Sequence, residues 1–280
     1  MKNPFDAYTM KARLVPAIIA GAPAFAFVAI FVSWGKFGLT HAIASTALTV
    51  LFAAFADVAR RRGKAIEPKL IERMGGQPTT TTLRHRDGTY DDDTKAAFHA
   101  FIAAKLAKPA PTREEEAADH AGADNYYARG ATWLRENTRD AKKFDILLNE
   151  NISYGFRRNL LGLKLPGFLL NAVIVAVCLA IFWQRRPVDL SNTFDAKLLA
   201  VVVIAVLHAI YLALFVTESG VFEAARTYAR QLLLCTQSPH LGGVPKPRSA
   251  VARKSPRRRA SGEETDREAT TVTSGAEKLS

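Results

Sequence analysis

Four long uncharged segments alternate with polar stretches along the chain. The segments cover residues 14–35, 37–56, 165–184 and 198–217, and they consist mainly of Ala, Val, Ile, Leu and Phe. Each is close to the ~20 residues that a helix needs to cross the ~30 Å hydrocarbon core of a bilayer. A single such segment is compatible with a buried helix of a soluble protein, but four together are not. The pattern therefore predicts an all-α polytopic membrane protein with four transmembrane helices.

The first apolar segment has to be compared with a secretory signal peptide. It follows Lys2, Lys11 and Arg13, as the apolar part of a signal does. However, it is longer than the apolar part of a typical signal, and a second apolar segment follows at once, so we expect a retained helix. Pro23 inside this segment predicts a kink, because proline removes one helical hydrogen bond.

The polar region between the second and third segments is long enough for a small domain. Lys64 to Met74 predicts a short helix that ends at Gly75–Gly76. The turn signal Asp87–Gly88 favours a short hairpin. Further helices are predicted from a cap at Asp91 with Phe98, Phe101, Ile102 and Leu106 on one face, from the capping box of Thr112 and Glu115, and from the apolar side chains of Tyr126–Leu134 and Phe144–Phe156.

Together these patterns predict six consecutive parts of the chain. The last part, residues 240–280, is expected to be disordered, because Pro, Ser, Thr, Arg and Glu dominate it and it has too few apolar residues to form a core. The parts are a cytosolic N-terminus (1–13), a transmembrane hairpin (14–57), a mainly helical cytosolic insertion between transmembrane helices 2 and 3 (58–164), a second transmembrane hairpin (165–217), a cytosolic helical extension (218–239) and a disordered basic tail (240–280).

The basic side chains set the expected orientation of the chain. Of the 38 Lys and Arg residues, only Lys36, Arg185, Arg186 and Lys197 fall in the connections within the two hairpins. The positive-inside rule therefore places both termini and the insertion in the cytoplasm. The Ala- and Arg-rich composition favours a bacterial inner membrane. The clusters beside the spans are expected to orient the chain and to contact anionic lipid headgroups; they are Arg60, Arg61, Arg62, Lys64, Arg157, Arg158 and Lys164.

Whole-chain averages give a different impression from this distribution. A mean hydropathy of +0.01 is typical of a soluble protein, and a net charge of +12 with a pI near 9.8 is typical of a nucleic-acid binder. The hydropathy is the average of apolar spans and polar segments, and the charge follows the orientation. The run Arg257–Arg259 has no interleaved aromatic residues, so no nucleic-acid partner is expected.

Candidate catalytic and metal-binding residues are few. The run His85–Asp87 lacks the asparagine that the kinase catalytic loop requires five residues later. The two cysteines, Cys178 and Cys235, form neither a disulfide pattern nor a thiolate metal site. We therefore expect a protein that is not an enzyme and that has no cofactor. Histidine and carboxylate side chains could in principle bind a divalent metal ion, but their spacing here matches no known pattern of metal ligands. We interpret them as solvated turn residues; they are His85, Asp87, Asp91, Asp92, Asp93, His99 and His120.

Polar side chains within the apolar segments are functional candidates, because burying them in a bilayer is costly. His208 lies near the middle of the fourth segment, with Tyr211 and Glu218 on roughly the same helical face. His41 lies near the outer end of the second segment and Asn171 near the inner end of the third. Neither is expected at the depth of His208. A neutral His208 that is hydrogen-bonded within the bundle is therefore favoured over a proton path.

The sequence leaves three functions open. The first is a non-enzymatic membrane protein whose cytosolic insertion binds a protein partner, a second copy of the chain or another cue, and acts through the four-helix bundle. The second is a membrane-permeabilising effector or channel, since two helical pairs around a cytosolic insertion are similar to the four-helix membrane effectors of bacterial antiphage signalling systems. That resemblance is one of topology, and it implies a cytosolic sensor. The third is a small transporter or membrane enzyme, although transporters usually have more spans and inverted repeats.

Overall fold

The computed structural model describes residues 7–31 and 38–242, except for the side chain of Thr40. Every regular element within these residues is helical, which confirms the predicted all-α class. Lys36, residues 1–6 and residues 243–280 of the predicted tail lie outside the described residues. The α-helices are α1 (Ala7–Thr9), α2 (Val15–Phe31), α3 (Leu39–Arg73), α4 (Pro78–Thr81), α5 (Asp92–Leu106), α6 (Arg113–Ala118), α7 (His120–Asn137), α8 (Asp145–Gly162), α9 (Lys164–Gln184), α10 (Thr193–Phe215) and α11 (Glu218–Leu234).

Shorter helical segments complete the described chain. A π-helical segment, Met10–Leu14, joins α1 to α2, and two 3-10 segments, Cys235–Gln237 and Pro239–Leu241, follow α11. Pro23 lies inside α2, where its side chain is buried.

The π-helical segment together with α2 (Met10–Phe31), α3, α9 and α10 are long and apolar enough to cross a membrane. This confirms the prediction of four helices of membrane-spanning length and composition. Helix α2 packs against α3, α9 and α10, and α9 packs along α10. We call α2, residues 39–62 of α3, α9 and α10 the apolar bundle. Its close contacts use small side chains, since Ala20 and Ala59 are buried against Leu163, as expected for helices that approach closely in lipid.

Helix α3 extends well beyond its apolar segment. It is a single helix of 35 residues, so the prediction of a separate short helix from Lys64 to Met74 is wrong. The basic run at residues 60–64 consists mainly of good helix formers and does not break the helix. The predicted end is confirmed, because Gly75 and Gly76 adopt φ angles of 75° and 126° that favour glycine.

The other helices form a second region with its own apolar core. We call residues 74–162 together with residues 218–242 the globular module. The predicted caps are confirmed, because Asp91 accepts a hydrogen bond from a backbone N–H of α5 and Thr112 forms a capping box with Glu115 at α6. The buried core residues come from α5, α7, α8 and α11 and their flanks; they are Leu83, Phe98, Ile102, Ala123, Tyr126, Tyr127, Leu134, Phe144, Leu147, Leu232, Leu233 and Cys235.

The hairpin predicted near Asp87–Gly88 is wrong. Pro78 instead begins the single helical turn α4, which is followed by turns and bends. Proline is well suited to the first position of a helix, since its φ angle is already helical and its missing N–H is not needed there. Helix α4 packs against α7 and α11. Tertiary packing thus overrides the β propensity of the threonines at 79–82.

Very short connections join the globular module to the apolar bundle. Helix α3 passes from one to the other without a break, and Leu163 alone separates α8 from α9. Val216 and Thr217 separate α10 from α11, where Thr217 caps α11 by accepting a hydrogen bond from the N–H of Gly220. The helix expected after the fourth segment is therefore present as α11, but it does not continue α10.

Candidate functional site at the junction of bundle and module

Three segments of the chain meet where the globular module joins the apolar bundle. The backbones of α3 and α8 are in close contact, because a Cβ atom at Gly162 would lie 2.6 Å from the backbone nitrogen of Gly63. Beside this crossing Asn159, which is 1% exposed, donates a hydrogen bond of 2.7 Å from Nδ2 to the carbonyl oxygen of Ala12. The π-helical segment before α2 is thereby tied to the α3–α8 crossing.

One turn further into the module, a buried ion pair links the same two helices. Arg158, 8% exposed, contacts Glu67 Oε1 through Nη1 at 2.7 Å, and the hydroxyl of Tyr154 donates to the same oxygen at 2.8 Å. Burial alone would lower the pKa of Arg158. The charge of Glu67 and its hydrogen bond have a larger effect in the opposite direction, so the net pKa of Arg158 is raised. Nε of Arg158 is buried without a partner among the described residues. Glu67 is therefore essential to keep this guanidinium compensated.

The second connection, between α10 and α11, is held by cations from α8 and α9. Lys164 donates from Nζ to the carbonyl oxygens of Ala213 and Val216, at 3.2 and 2.9 Å. These are C-terminal carbonyls of α10, which a cation stabilises. Arg157 donates to the carbonyl oxygen of Gly220 at 3.2 Å, and it lies 3.6 Å from the carboxylate of Glu223. We call the α3–α8 crossing, the Arg158–Glu67 pair and these contacts the junction.

The cations predicted to contact lipid headgroups fall into two groups. Arg60, Arg61, Arg62 and Lys64 are exposed on α3, and Arg61 pairs there with Asp57. They remain candidates for that role. Arg158 does not, because its side chain is buried against Glu67, and the corresponding prediction is wrong for this residue. Arg157 is about half exposed. Both Arg157 and Lys164 donate hydrogen bonds to backbone carbonyl oxygens within the junction, so they are only partly available to lipid headgroups.

Asn171 and His208 form a polar pair inside the apolar bundle. Nδ2 of Asn171 lies 3.0 Å from Nδ1 of His208, and both side chains are buried. The expectation that they differ in depth is wrong. Helix α10 begins at Thr193, before its uncharged segment, so His208 lies seven residues from the end of α10. Asn171 lies seven residues from the start of the antiparallel α9. The favoured interpretation, a histidine hydrogen-bonded within the bundle, agrees with this contact.

The second ring nitrogen of His208 has no hydrogen bond among the described residues. Nε2 is buried within the apolar bundle. The ring of Tyr211 stacks 6.5 Å from that of His208. His41 is in the first turn of α3, where Nδ1 accepts the N–H of Gly38. Glu218 begins α11 and pairs with Arg73, so it does not share the helix of His208.

The residues considered for a metal site make internal contacts in the module. His85 and His99 place Nε2 at 3.0 and 2.7 Å from backbone carbonyl oxygens. Lys95, which is 3% exposed, donates to the carbonyl oxygens of His85 and Asp87, both at 2.8 Å. Within the described ranges, no group of three or more His, Cys, Asp or Glu side chains is arranged to hold a metal ion.

Glu116 is the centre of this buried network. Its Oε2 accepts hydrogen bonds from the N–H of His85 at 2.8 Å and from the hydroxyl of Tyr127 at 2.9 Å. Burial alone would raise the pKa of Glu116. The two hydrogen bonds stabilise the carboxylate and have the larger effect together, so the net pKa is lowered. Burial and the bond to Glu116 raise the pKa of Tyr127, so its hydroxyl remains a donor. The network fixes the loop between α4 and α5 to α6 and α7.

Sequence reasoning missed Gly63, Glu67 and Asn159. Gly155 and Gly162 are seven residues apart, two helical turns, so a small-residue face on α8 was visible in the sequence. In the structure this face makes a close contact, since a Cβ atom at Gly155 would lie 2.9 Å from the hydroxyl of Tyr8. No comparable signal marked Glu67, one of 16 acidic residues in the polar region.

No protein-family model matches the chain, and no curated protein or solved structure matches it significantly. The function is therefore inferred from the geometry of the junction.

Proposed function

We propose that this chain is a multi-pass protein of a bacterial inner membrane that transmits a change in its globular module to its apolar bundle. In this proposal both termini and the module lie in the cytoplasm. The module binds a protein partner, a second copy of the chain or a small ligand. The observation that carries the proposal is the junction, where two buried polar contacts and a backbone crossing fix helix α8 of the module to α3 and to the segment that leads into α2.

The connections support transmission because they leave no flexible linker to absorb a movement. Leu163, between α8 and α9, is fully buried, and Lys164 hydrogen-bonds the last turn of α10. A rotation or shift of α8 therefore has to move α9, and a shift of α11 acts on α10 through two residues. Packed helices with short connections respond by sliding or rotating together rather than by bending continuously.

The surface of the apolar bundle supports its placement in lipid. Leu207, Leu214 and Phe215 are 61%, 66% and 72% exposed, which is unfavourable in water. The charges support the orientation, since four exposed cations follow the apolar part of α3 on the side of the module; they are Arg60, Arg61, Arg62 and Lys64. At the opposite end Arg185 is compensated by Asp195, with Nε and Oδ1 3.0 Å apart.

Binding, rather than catalysis, is proposed for the module because its buried polar groups are engaged with one another. Glu116, His99 and Lys95 all hold backbone groups of one loop, which is a structural use of these side chains. A catalytic group, in contrast, must direct its acid, base or nucleophile toward a substrate.

The proposed orientation is tested by substituted-cysteine labelling. We choose Ile146→Cys in the module and Val188→Cys in the α9–α10 connection, because both side chains are exposed and both native cysteines are buried. A membrane-impermeant maleimide added to intact spheroplasts should label Val188→Cys alone, and lysis should then expose Ile146→Cys. Labelling of Ile146→Cys before lysis contradicts the proposed orientation.

Transmission through the junction is tested by hydrogen exchange in lipid nanodiscs. Glu67→Ala leaves Arg158 buried and uncompensated, so amides of α8, α9 and the π-helical segment should all exchange faster. Asp57→Ala is the matched control, because it removes an exposed ion pair from the same helix and should change little. Faster exchange confined to α3 in Glu67→Ala would show that the junction does not couple the two regions.

A membrane-potential dye distinguishes transmission from permeabilisation. The proposal predicts that induced expression leaves the potential and the growth rate unchanged. Rapid depolarisation on expression supports the effector or channel interpretation instead.

A further inference from the structure

A basic pocket lies between the segment that follows α3 and the outer face of α11. Arg84 and Arg86 line one wall, Arg226 and Arg230 line the other, and the pocket has a volume of about 260 Å³. Asp87 is the one carboxylate among its described lining residues, and its Oδ1 already accepts a backbone N–H. We call this site the arginine pocket.

The two arginines of the first wall are held in place by the module. Arg84 makes a bidentate contact with Asp124, from Nε at 2.8 Å and from Nη2 at 2.6 Å. Its Nη1 donates to the carbonyl oxygen of Gly75 at 3.2 Å, so its position is fixed and its charge is compensated. Arg86 is half exposed, with Nη1 2.8 Å from a nitrogen of His120 and 3.8 Å from Glu116. This wall is preorganised.

The two arginines of the second wall carry uncompensated charge. Arg226 and Arg230 are exposed one turn apart on α11, a spacing at which like charges weaken a helix. Among the described residues neither forms an ion pair. The acidic residues of α11 do not relieve them, because Glu218 pairs with Arg73 and Glu223 with Arg157.

We propose that the arginine pocket binds the phosphate or pyrophosphate group of a soluble small molecule. Planar guanidinium groups that converge from two walls match the several acceptor oxygens of a phosphate. The volume is close to the lower end of the ~300–1,000 Å³ that is usual for small-molecule sites. The ligand would bring the loop after α3 and α11 together, and both elements lead directly into helices of the bundle. The binding site therefore goes beyond the proposed transmission and does not depend on it.

The position of the pocket favours a soluble ligand over a lipid headgroup. Helix α11 runs antiparallel to α8, because Arg157 contacts the start of α11 whereas Tyr154 stacks on Tyr228 further along it. Since α8 leads into the bundle, α11 runs away from it. Arg226 lies eight residues after Glu218, about 12 Å at 1.5 Å per residue. The headgroup layer extends only about 5–8 Å beyond the hydrocarbon core.

Calorimetric titration of the full chain in phosphatidylcholine nanodiscs tests the proposal, with pyrophosphate as the probe at constant ionic strength. Wild type should bind, and the double variant Arg226→Gln/Arg230→Gln should lose at least about tenfold in affinity. Both side chains are exposed, so the variant should fold, and a melting curve verifies this. The matched control Arg129→Gln/Arg139→Gln removes two exposed arginines outside the pocket and should bind like wild type.

A second titration separates the two sources of a phosphate group. Dihexanoylphosphatidylglycerol, a water-soluble lipid, presents a phosphodiester headgroup, and we expect it to bind more weakly than pyrophosphate. If this lipid binds and pyrophosphate does not, and if the binding depends on Arg226 and Arg230, the proposal of a soluble ligand is contradicted. Absence of pyrophosphate binding, or equal affinity in both double variants, would overturn the anion site. Because binding is measured directly, either result leaves the test of the junction unaffected.

Discussion

The apolar bundle and the globular module are both built from helices with buried apolar side chains, but they differ in the side chains that they expose. The module encloses large side chains such as Phe98 and Tyr127, and it satisfies its buried polar groups through one network around Glu116. The bundle buries some large side chains, such as Leu198 and Leu212, together with small ones such as Ala20 and Ala59, but it turns other large apolar side chains, such as Leu207, outward. The module therefore follows the rule for a protein in water, and the bundle follows the rule for helices in lipid.

In the proposed membrane placement, two solvents, water and lipid, act on one continuous set of helices. The hydrophobic effect stabilises the module, whereas close contact between helix backbones and a few polar pairs stabilise the bundle. The junction has to satisfy both, and it does so with glycines for close approach and with Glu67 and Asn159 for polar contact. Substitutions that look alike should therefore have different effects in the two regions.

The largest expected difference is between Leu207→Asp and Ile146→Asp. The two side chains are similarly exposed, at 61% and 57%. Aspartate near the middle of a transmembrane helix costs about 3 kcal/mol of insertion free energy. In water the change should be within about 0.5 kcal/mol, and an acid in the first turn of α8 is even favourable. Recovery of protein from the membrane fraction measures both, and equal recovery would contradict the division into two solvents.

A smaller loss is expected from adding one methyl group at the crossing of α3 and α8. In Gly162→Ala the new Cβ would meet backbone atoms of Gly63 and Arg62, at 2.6 and 2.9 Å, which cannot move aside. We expect a loss of about 2 kcal/mol in chemical denaturation of the protein in micelles. Gly88→Ala is the control, because no atom lies within 4 Å of its Cβ position, and it should lose nothing. Equal stability of the two variants would show that the helices can separate at no cost.

Removal of one hydroxyl from the core of the module should have a still smaller effect. Tyr127→Phe deletes the hydrogen bond to the charged Glu116 and should cost about 1.5 kcal/mol, measured by the same denaturation. Tyr228→Phe is the matched control, since the hydroxyl of Tyr228 has no hydrogen-bond partner among the described residues. A loss in both variants would point to packing of the ring rather than to the network.

The smallest expected effect is a pH dependence confined to the module. Burial lowers the pKa of His99 below its ordinary value of 6.5, against the opposing effect of the carbonyl oxygen of Leu83. As the pH falls through 6.5, His99 of the unfolded chain binds a proton that His99 of the folded module does not bind. The free energy of unfolding should therefore decrease as the pH falls from about 7.5 to about 5.5. His99→Gln should flatten this slope, whereas the exposed His120→Gln should keep it. A slope that persists in His99→Gln assigns the effect to another group.

The local structure of the module was largely predictable from the sequence. The cap at Asp91 and the capping box of Thr112 with Glu115 involve residues three positions apart, and such signals act within a single helical turn. The four apolar segments were equally clear, because length and composition alone identify them. The turn signal at Asp87–Gly88 led to a wrong hairpin prediction, because a turn signal does not specify strands on either side and the residues before it form α4, which packs on α7 and α11.

The junction could not be predicted, because its contacts join residues that are far apart in the sequence. Arg158 is 91 positions from Glu67, and Asn159 is 147 positions from Ala12. The pairing of Asn171 with His208 was missed for a different reason. The uncharged segment does not show where α10 begins, and its first turn contains Asp195. A helix boundary shifted by five residues changes the depth of a side chain by about 8 Å.

The two native cysteines allow the most direct test of coupling between the two regions. Cys178 is buried in the bundle and Cys235 in the module, where burial raises the pKa of its thiol to about 11. Modification by N-ethylmaleimide in nanodiscs therefore requires each region to open. If the junction couples them, Tyr127→Phe should accelerate modification of both cysteines by the same factor, about tenfold. Acceleration at Cys235 with an unchanged rate at Cys178 would contradict transmission from the module to the bundle.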